Sequence, residues 1–164
     1  MSYTIKHLLH INSPIENVFD ALSNIERLKC NDKHIALDLD GHAGETVKLL
    51  SLLLGKTQAT NTTYVGAGLK LLDDGMTYEQ LMSAALDVVL GANASSLSVV
   101  ELIWNNLIGP PTPADNIGQY AALIDNGTYT SAGLAVIAAD HSLNTTAVDL
   151  VGLTQTGVEY LLYG

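Results

Sequence analysis

Apolar residues recur every three to four positions along most of the chain, and this spacing predicts helices. From residue 47 onward the apolar stretches are separated by Gly, Asn and Pro, which typically end helices. The predicted helices cover about 47–54, 64–74, 77–90, 97–107, 112–124, 132–139 and 144–162. β-Branched residues are few in this part, and Ala and Leu dominate. The pattern therefore favours an all-α fold from residue 35 onward.

The N-terminus follows another pattern. Apolar residues at every second position from Tyr3 to Ile11 predict a strand. Ser13, Pro14 and Glu16 then supply an N-cap, a proline at the first helical position and an acid at the third, which predicts a helix continuing to Ile25. The expected fold class is mainly α, a compact helical bundle with one N-terminal strand and helix.

Two stretches of the chain resemble each other. Leu54-Gly55 followed by Asp73-Asp74-Gly75 is similar to Ile108-Gly109 followed by Asp125-Asn126-Gly127. The glycines that end the first helices lie 54 residues apart, and those after the acidic turns lie 52 apart. A nearly fixed period predicts a duplicated helical unit, in which each copy buries one face against the other.

Charge divides the chain near residue 34. The chain has 164 residues and a formal charge of −10. Residues 1–34 contain four basic and four acidic side chains, so the whole net charge lies in 35–164. We therefore predict a β-α segment at 1–34 and an acidic helical-repeat domain at 35–164. A natural fusion, an engineered fusion and an assembly artefact would each explain the junction.

Composition also limits the partners and the location. Strong acidity argues against nucleic acid and anionic membranes, because both favour clustered Lys and Arg. No apolar run reaches the roughly 20 residues of a membrane helix, so membrane insertion is not expected. The single Cys30 excludes an internal disulfide and a multi-thiolate zinc site. Met1 to Lys6 lacks a signal-peptide pattern, which leaves a cytoplasmic location open.

The second repeat carries a family resemblance. The run Leu102-Ile103-Trp104-Asn105-Asn106-Leu107-Ile108-Gly109-Pro110-Pro111-Thr112-Pro113 precedes Tyr120, Leu123, Asn126-Gly127 and Ala138-Ala139-Asp140. Over about 36–162 the chain resembles a helical-repeat domain of uncharacterised function in secreted bacterial proteins of the RTX (haemolysin-type) and surface-layer-like kinds. The resemblance implies an extracellular or cell-surface structural module without known catalytic residues. The Gly-Gly-x-Gly-x-Asp calcium repeats of RTX chains are absent from the sequence.

The N-terminal segment carries a different resemblance. Tyr3-Thr4-Ile5-Lys6-His7 and the run from Ile11 to Leu22 are similar to the opening strand and helix of START-like domains of the polyketide-cyclase type. The resemblance covers about 1–30 and implies a cavity for a hydrophobic ligand. Such a cavity needs a long curved sheet, which the helical pattern after residue 34 does not supply.

The most metal-like residues are Asp38, Asp40 and Glu45. Carboxylates close together favour a calcium ion, but Gly41 follows the second acid directly, which breaks the EF-hand spacing. The alternative is a solvated loop followed by a first helical turn in which Glu45 complements the helix dipole. These three residues are the candidate metal ligands, and neither catalytic nor cofactor-binding residues are predicted.

Three other features have simpler explanations than catalysis or cofactor binding. Asp140-His141-Ser142 contains the residue types of a triad, but sequence neighbours rarely form one, so a capping or turn role is expected. Gly66 and Gly68 lack the preceding strand and the last glycine of a nucleotide loop, which favours close helix packing. Trp104 has apolar neighbours at helical spacing, which predicts a core position.

These features together predict a non-catalytic structural or interaction module of a secreted or surface bacterial protein. Its partner would be a protein or a cell surface, and the sequence leaves the oligomeric state undefined. Two alternatives remain open. One is a START-type protein that binds a small hydrophobic ligand or acts as a cyclase, and the other is a calcium-stabilised extracellular module.

Overall fold

Two small antiparallel sheets contain the strands. The computed structural model describes residues 2–7, 18–23, 25–30 and 33–163. Strands β1 (Ser2–His7) and β2 (Val18–Ser23) pair with each other, with Ser2 opposite Ser23. Strands β3 (Arg27–Lys29), β4 (His34–Ala36) and β5 (Val158–Tyr160) form the second sheet in that order.

Helices make up most of the remaining described chain. They are α1 (His42–Leu54), α2 (Thr62–Asp73), α3 (Tyr78–Leu90), α4 (Ser96–Leu107), α5 (Gly118–Asp125), α6 (Ser131–Ala139), α7 (Ser142–Ala147) and α8 (Leu150–Thr156). The fold is a compact and mainly α-helical bundle, which confirms the expected fold class. Within the described residues, no helix combines the length and apolarity required to span a membrane.

Helix α1 lies at the centre of the bundle. Most of its residues are buried, including Val47 and Leu52 with no exposed surface. A helix that is buried on nearly every side must be surrounded by other elements. Helices α2, α3, α4, α6 and α7 all pack against it. The core is therefore assembled around α1, with smaller contributions from α2, α3, α4 and α6.

The predicted duplication is present as two three-helix units, α1–α3 and α4–α6. Gly55 and Gly109 follow the first helices with φ values of 87° and 125°. Gly75 and Gly127 follow the second helices with φ values of 101° and 75°. Glycine has no Cβ penalty at positive φ, so both pairs end helices in the way the repeat predicts. α1 packs against α4 and α3 against α6, so equivalent helices meet.

The predicted N-terminal helix is wrong where the structure describes it. Residues 18–23 form strand β2, which pairs with β1 over its whole length. The helix cap predicted at Ser13 and Pro14 lies outside the described residues. A short apolar run such as Val18, Phe19 and Leu22 is compatible with a helix or a strand. Pairing with β1 determines that it forms a strand.

The predicted C-terminal helix is also interrupted. Asp149 adopts φ 50° between α7 and α8, and its carboxylate accepts a hydrogen bond from Gly152 N. Gly157 at φ 72° ends α8, after which the chain enters β5. The buried residue Val158 therefore belongs to a strand and not to the predicted helix, and Leu161 lies just after that strand. A left-handed residue and a strand partner override the helical spacing here.

The helix predicted from Thr112 starts later than expected. Thr112 and Asp115 form the expected capping box, but it encloses only a 3₁₀ turn at Pro113–Asp115. Asn116 is left-handed at φ 48°, which ends that turn, and α5 begins at Gly118. Helix α5 is consequently shorter than its counterpart α2.

Contacts cross the predicted boundary at residue 34. β4 pairs with β3 on one side and with β5 on the other. The Arg27 guanidinium forms ion pairs with Asp38 and, at 3.0 Å, with Asp73. The division into 1–34 and 35–164 stays a prediction, and these contacts determine how to test it.

Removal of β3 and Arg27 is expected to destabilise the helical domain. A chain of residues 35–164 should unfold at a lower temperature than a chain of residues 25–164, because the shorter chain lacks β3, the Arg27 ion pairs and His34 of β4. Thermal unfolding followed by circular dichroism measures the difference. Equal midpoints would show that residues 25–34 add nothing to the stability of the bundle.

Close backbone contact at Gly66 gives a second prediction. A Cβ at Gly66 would lie inside contact distance of the Leu161 carbonyl oxygen, so Gly66→Ala must displace the C-terminal segment. We expect a loss of about 1–3 kcal/mol in the free energy of unfolding, measured by urea denaturation. Gly118→Ala is the matched control, since nothing lies within 4 Å of that position. Equal effects of the two substitutions would contradict the close contact.

Candidate functional site

The predicted metal ligands do not converge on one point. Asp38 forms an ion pair with Arg27, and its other carboxylate oxygen accepts a hydrogen bond from Ala43 N at 3.3 Å. Asp40 is exposed in the loop before α1, and Glu45 lies in the first turn of α1. Asp38 thus caps α1 while a guanidinium balances its charge.

Calcium takes six to eight oxygen ligands. No group of three or more His, Cys, Asp or Glu side chains suited to a metal is found among the described residues. The nearest charged cluster is formed by Arg27 with Asp38 and Asp73, and His42 Nδ1 lies 2.6 Å from Asp73 Oδ1. This cluster joins β3 to α1 and α2.

The run Asp140-His141-Ser142 lies between α6 and α7, and His141 has the capping role that the sequence predicted there. His141 is the N-cap of α7, and its Nδ1 accepts a hydrogen bond from Leu143 N at 3.2 Å. Ser142 is the first residue of α7, whereas the Asp140 carboxylate forms an ion pair with Lys48. The Asp140 and His141 side chains therefore have separate partners and do not form a triad.

The packing role predicted for Gly66 and Gly68 is confirmed. A Cβ at Gly68 would come within 2.6 Å of Thr46 Cγ2, because α1 and α2 approach closely there. The backbone of Leu161 packs directly against Gly66 of α2. Both glycines are used for close contact, as expected.

Two apolar grooves are the main candidate sites. The first groove lies between residues 46–54 of α1, 64–71 of α2 and 81–89 of α3, with a volume of about 320 Å³. The second groove lies between residues 100–107 of α4 with Ile108 after it, Tyr120 of α5 and 134–138 of α6, and is also lined by His141 and Leu143. Its volume is about 270 Å³. Apolar side chains dominate the lining of both.

The grooves occupy equivalent places in the two repeat units. On the first helix, lining residues lie 54 positions apart: Thr46, Leu49, Leu50, Leu53 and Leu54 correspond to Val100, Ile103, Trp104, Leu107 and Ile108. On the third helix the interval is 53, so that Leu81, Ala84 and Ala85 correspond to Leu134, Ile137 and Ala138, and Val88 corresponds to His141 just after α6. Duplication of the helical unit therefore duplicated a groove.

The second groove contains the larger aromatic residues. Trp104 replaces Leu50 of the first groove, and Tyr120 takes the place of Gly68, 52 residues earlier. The two rings lie 5.8 Å apart between centroids in a tilted arrangement. Trp104 is only half-buried, so it lines the groove instead of filling the core as the sequence predicted. It is also the only tryptophan of the chain, so its fluorescence reports on the second groove.

Each groove includes one residue with an unsatisfied polar atom. Thr46 Oγ1 in the first groove and Trp104 Nε1 in the second are buried without a hydrogen-bond partner in the part of the chain that the structure describes. Buried polar atoms are normally hydrogen-bonded, so such atoms require an explanation. Apart from these atoms, the His141 ring and the Tyr64 and Tyr120 hydroxyls, the lining side chains are apolar.

Two carboxylates lie one helical turn from groove residues on the helices that form the grooves. Asp87 lies three residues after Ala84 on α3, and Glu101 lies three residues before Trp104 on α4, so each is a surface neighbour of a groove residue. Both are exposed. Neither forms an ion pair with any described residue, whereas Lys70 beside the first groove pairs with Asp74 at 2.6 Å.

Comparison of the chain with protein families, with curated proteins and with solved structures finds no match. The shape and the lining of the two grooves therefore define the candidate site.

The sequence analysis did not predict the grooves, although the sequence contains a signal for them. Alignment of the two repeats places apolar residues opposite apolar residues on both the first and the third helices.

Tyr78, the first residue of α3, is half-buried with a fully buried hydroxyl. The Tyr78 hydroxyl has no hydrogen-bond partner among the described atoms, and Lys48 Nζ lies 5.5 Å from its ring centroid. Burial raises the pKa of Tyr78 far above its usual value of 10.0, and the Asp140 and Glu45 carboxylates raise it further. Tyr78 therefore stays protonated in the folded chain.

Tyr78 is expected to make stability fall at high pH. The unfolded chain loses this proton near pH 10 and the folded chain keeps it, so the contribution is complete below pH 10 and is lost as the pH rises above it. The expected slope is about 1.4 kcal/mol per pH unit. Urea denaturation of the wild type and of Tyr78→Phe between pH 9 and about pH 11 tests this. Parallel curves for the two proteins would contradict it.

Proposed function

We propose that the chain is a non-catalytic interaction module whose two grooves receive apolar side chains of a protein partner. The observation that carries this proposal is the repetition of one apolar groove at equivalent positions of both helical units. Catalytic sites need a few polar groups directed at one reacting atom, whereas these grooves offer apolar surface twice. Two copies of one binding surface suit a module that holds a partner in place.

Exposed apolar side chains at the groove edges support the same function. Val88 is 86% exposed at the first groove, and Ile108 and Ile137 are 56% and 52% exposed at the second. Single exposed apolar residues are normal, but exposed apolar residues beside an apolar groove mark a binding surface. A partner that covers both the groove and its edge would remove this surface from water.

We also propose that the module belongs to a secreted or surface-exposed bacterial protein. The support is the resemblance of about 36–162 to helical repeats of such proteins, together with the acidic surface. Interaction with other proteins of the cell surface, or presentation of neighbouring domains, would fit a module with two binding grooves.

Binding of a small hydrophobic ligand is a second candidate. Groove volumes of about 320 and 270 Å³ lie near the lower end of the range for small-molecule sites. Under this alternative an apolar fluorophore would bind to the native chain and fatty acid would displace it. Under the proposed interaction function, apolar peptides would displace the fluorophore and fatty acid would not.

Selection from a displayed library of random peptides tests the proposed function. We expect the full chain to enrich peptides with several apolar residues, and each groove variant to bind them about tenfold more weakly. The variants are Val88→Asn for the first groove and Ile137→Asn for the second, because both side chains are exposed and their loss leaves the core intact.

The matched control is Leu162→Asn, which removes a side chain that is 63% exposed outside both grooves. This variant should bind the selected peptides as the wild type does. Equal weakening by all three variants, or no enrichment at all, would overturn the proposed function.

A further inference from the structure

We infer that the segment bound by each groove is an amphipathic helix whose apolar stripe is flanked by Lys or Arg. This inference rests on the proposed function and specifies its partner. Its basis is the length of the grooves, the small number of polar groups inside them and the carboxylates one helical turn from their lining residues.

Groove length fits two turns of a helix. The first groove is lined from residue 46 to 54 on α1 and from 81 to 89 on α3. Eight residues of helix rise about 12 Å, and helical side chains at i, i+4 and i+7 span about 10 Å. The second groove is lined over the same length of chain, from residue 100 in α4 to residue 108 just after that helix. Each groove therefore holds three anchors of one helix face.

The polarity of the lining favours a helix over an extended segment. A strand placed in the groove would bring its own N–H and C=O groups against apolar side chains, and those groups would lose their hydrogen bonds to water. A helix satisfies these groups internally and presents only side chains. The polar groups of the lining are Thr46 Oγ1 and the Tyr64 hydroxyl in the first groove, and Trp104 Nε1, the Tyr120 hydroxyl and the His141 ring in the second. These are too few to pair with the backbone of a strand.

Charge determines what flanks the apolar stripe. Between residues 35 and 163 the basic side chains are Lys48, Lys56 and Lys70, and the first and last of these are paired with Asp140 and Asp74. Asp87 and Glu101, one helical turn from groove residues, form no ion pair within the described part of the chain. Lys or Arg next to the apolar anchors of a partner would meet these carboxylates, whereas Glu or Asp would be repelled.

Synthetic peptides with fluorescent labels test the inference on the full chain. The first peptide is a helix of about 16 residues with Leu at i, i+4 and i+7 and with Lys on both sides. The second replaces each Lys by Glu, and the third keeps the composition of the first but places Leu at every second position. We expect the first peptide to bind at least about tenfold more tightly than either control at about 50 mM salt.

Binding of the first peptide should change the fluorescence of Trp104 and should weaken as salt rises. Asp87→Lys should weaken binding without moving the Trp104 signal, and Glu101→Lys should weaken the Trp104 response. Asp40→Lys is the matched control, because it changes the net charge equally at an exposed position outside both grooves. Equal effects of all three variants would show that only net charge acts, which overturns the local pairing.

The remaining outcomes separate this inference from the proposed function. Equal binding of the Lys and Glu peptides, or of the helical and alternating peptides, overturns the inference. If library selection still yields peptides that depend on the grooves, the proposed function stands in either case. If neither the library nor any designed peptide binds, both are overturned.

Discussion

Burial of α1 is the constraint on which the rest of the structure depends. A helix with apolar residues on nearly all sides is stable only when other helices surround it, and five of them do so. The two repeat units meet through α1 and α4, so the central helix also joins the copies. Its edge at residues 46–54 additionally forms one wall of the first groove. Stability of the core and shape of the groove therefore depend on the same helix.

Most of the helical domain was predictable from local signals. The Thr77 capping box and the glycines at 55, 75, 109 and 127 end or begin helices where the sequence indicates, because these effects act within one turn. The predictions that failed concern segments decided by distant partners. β2 depends on β1, and β5 depends on β4, which is more than a hundred residues away. The hydrophobic period of a segment and its strand propensity contain no information about a partner strand so distant in the sequence.

The candidate site was less predictable for a related reason. Acidic residues close together, such as Asp38 and Asp40, suggest a metal site in a sequence. In the structure Asp38 caps α1 and forms an ion pair with Arg27. The grooves consist of Leu, Ala and Val, which in a sequence are indistinguishable from core residues. Only the three-dimensional arrangement shows that the apolar face of Val88 or Trp104 is left partly uncovered.

Two equivalent grooves on one chain would also allow one partner to bind at two places at once, which raises the overall affinity. A partner with two suitable helices joined by a flexible linker would bind the second groove intramolecularly, at an effective concentration in the millimolar range. Avidity can then exceed the affinity of either groove by about 10²–10⁴, provided that the linker spans both grooves. Such a module would discriminate partners by the spacing of their helices as well as by the helices themselves. Two individually weak contacts would then produce a long-lived complex that a single helix could not form.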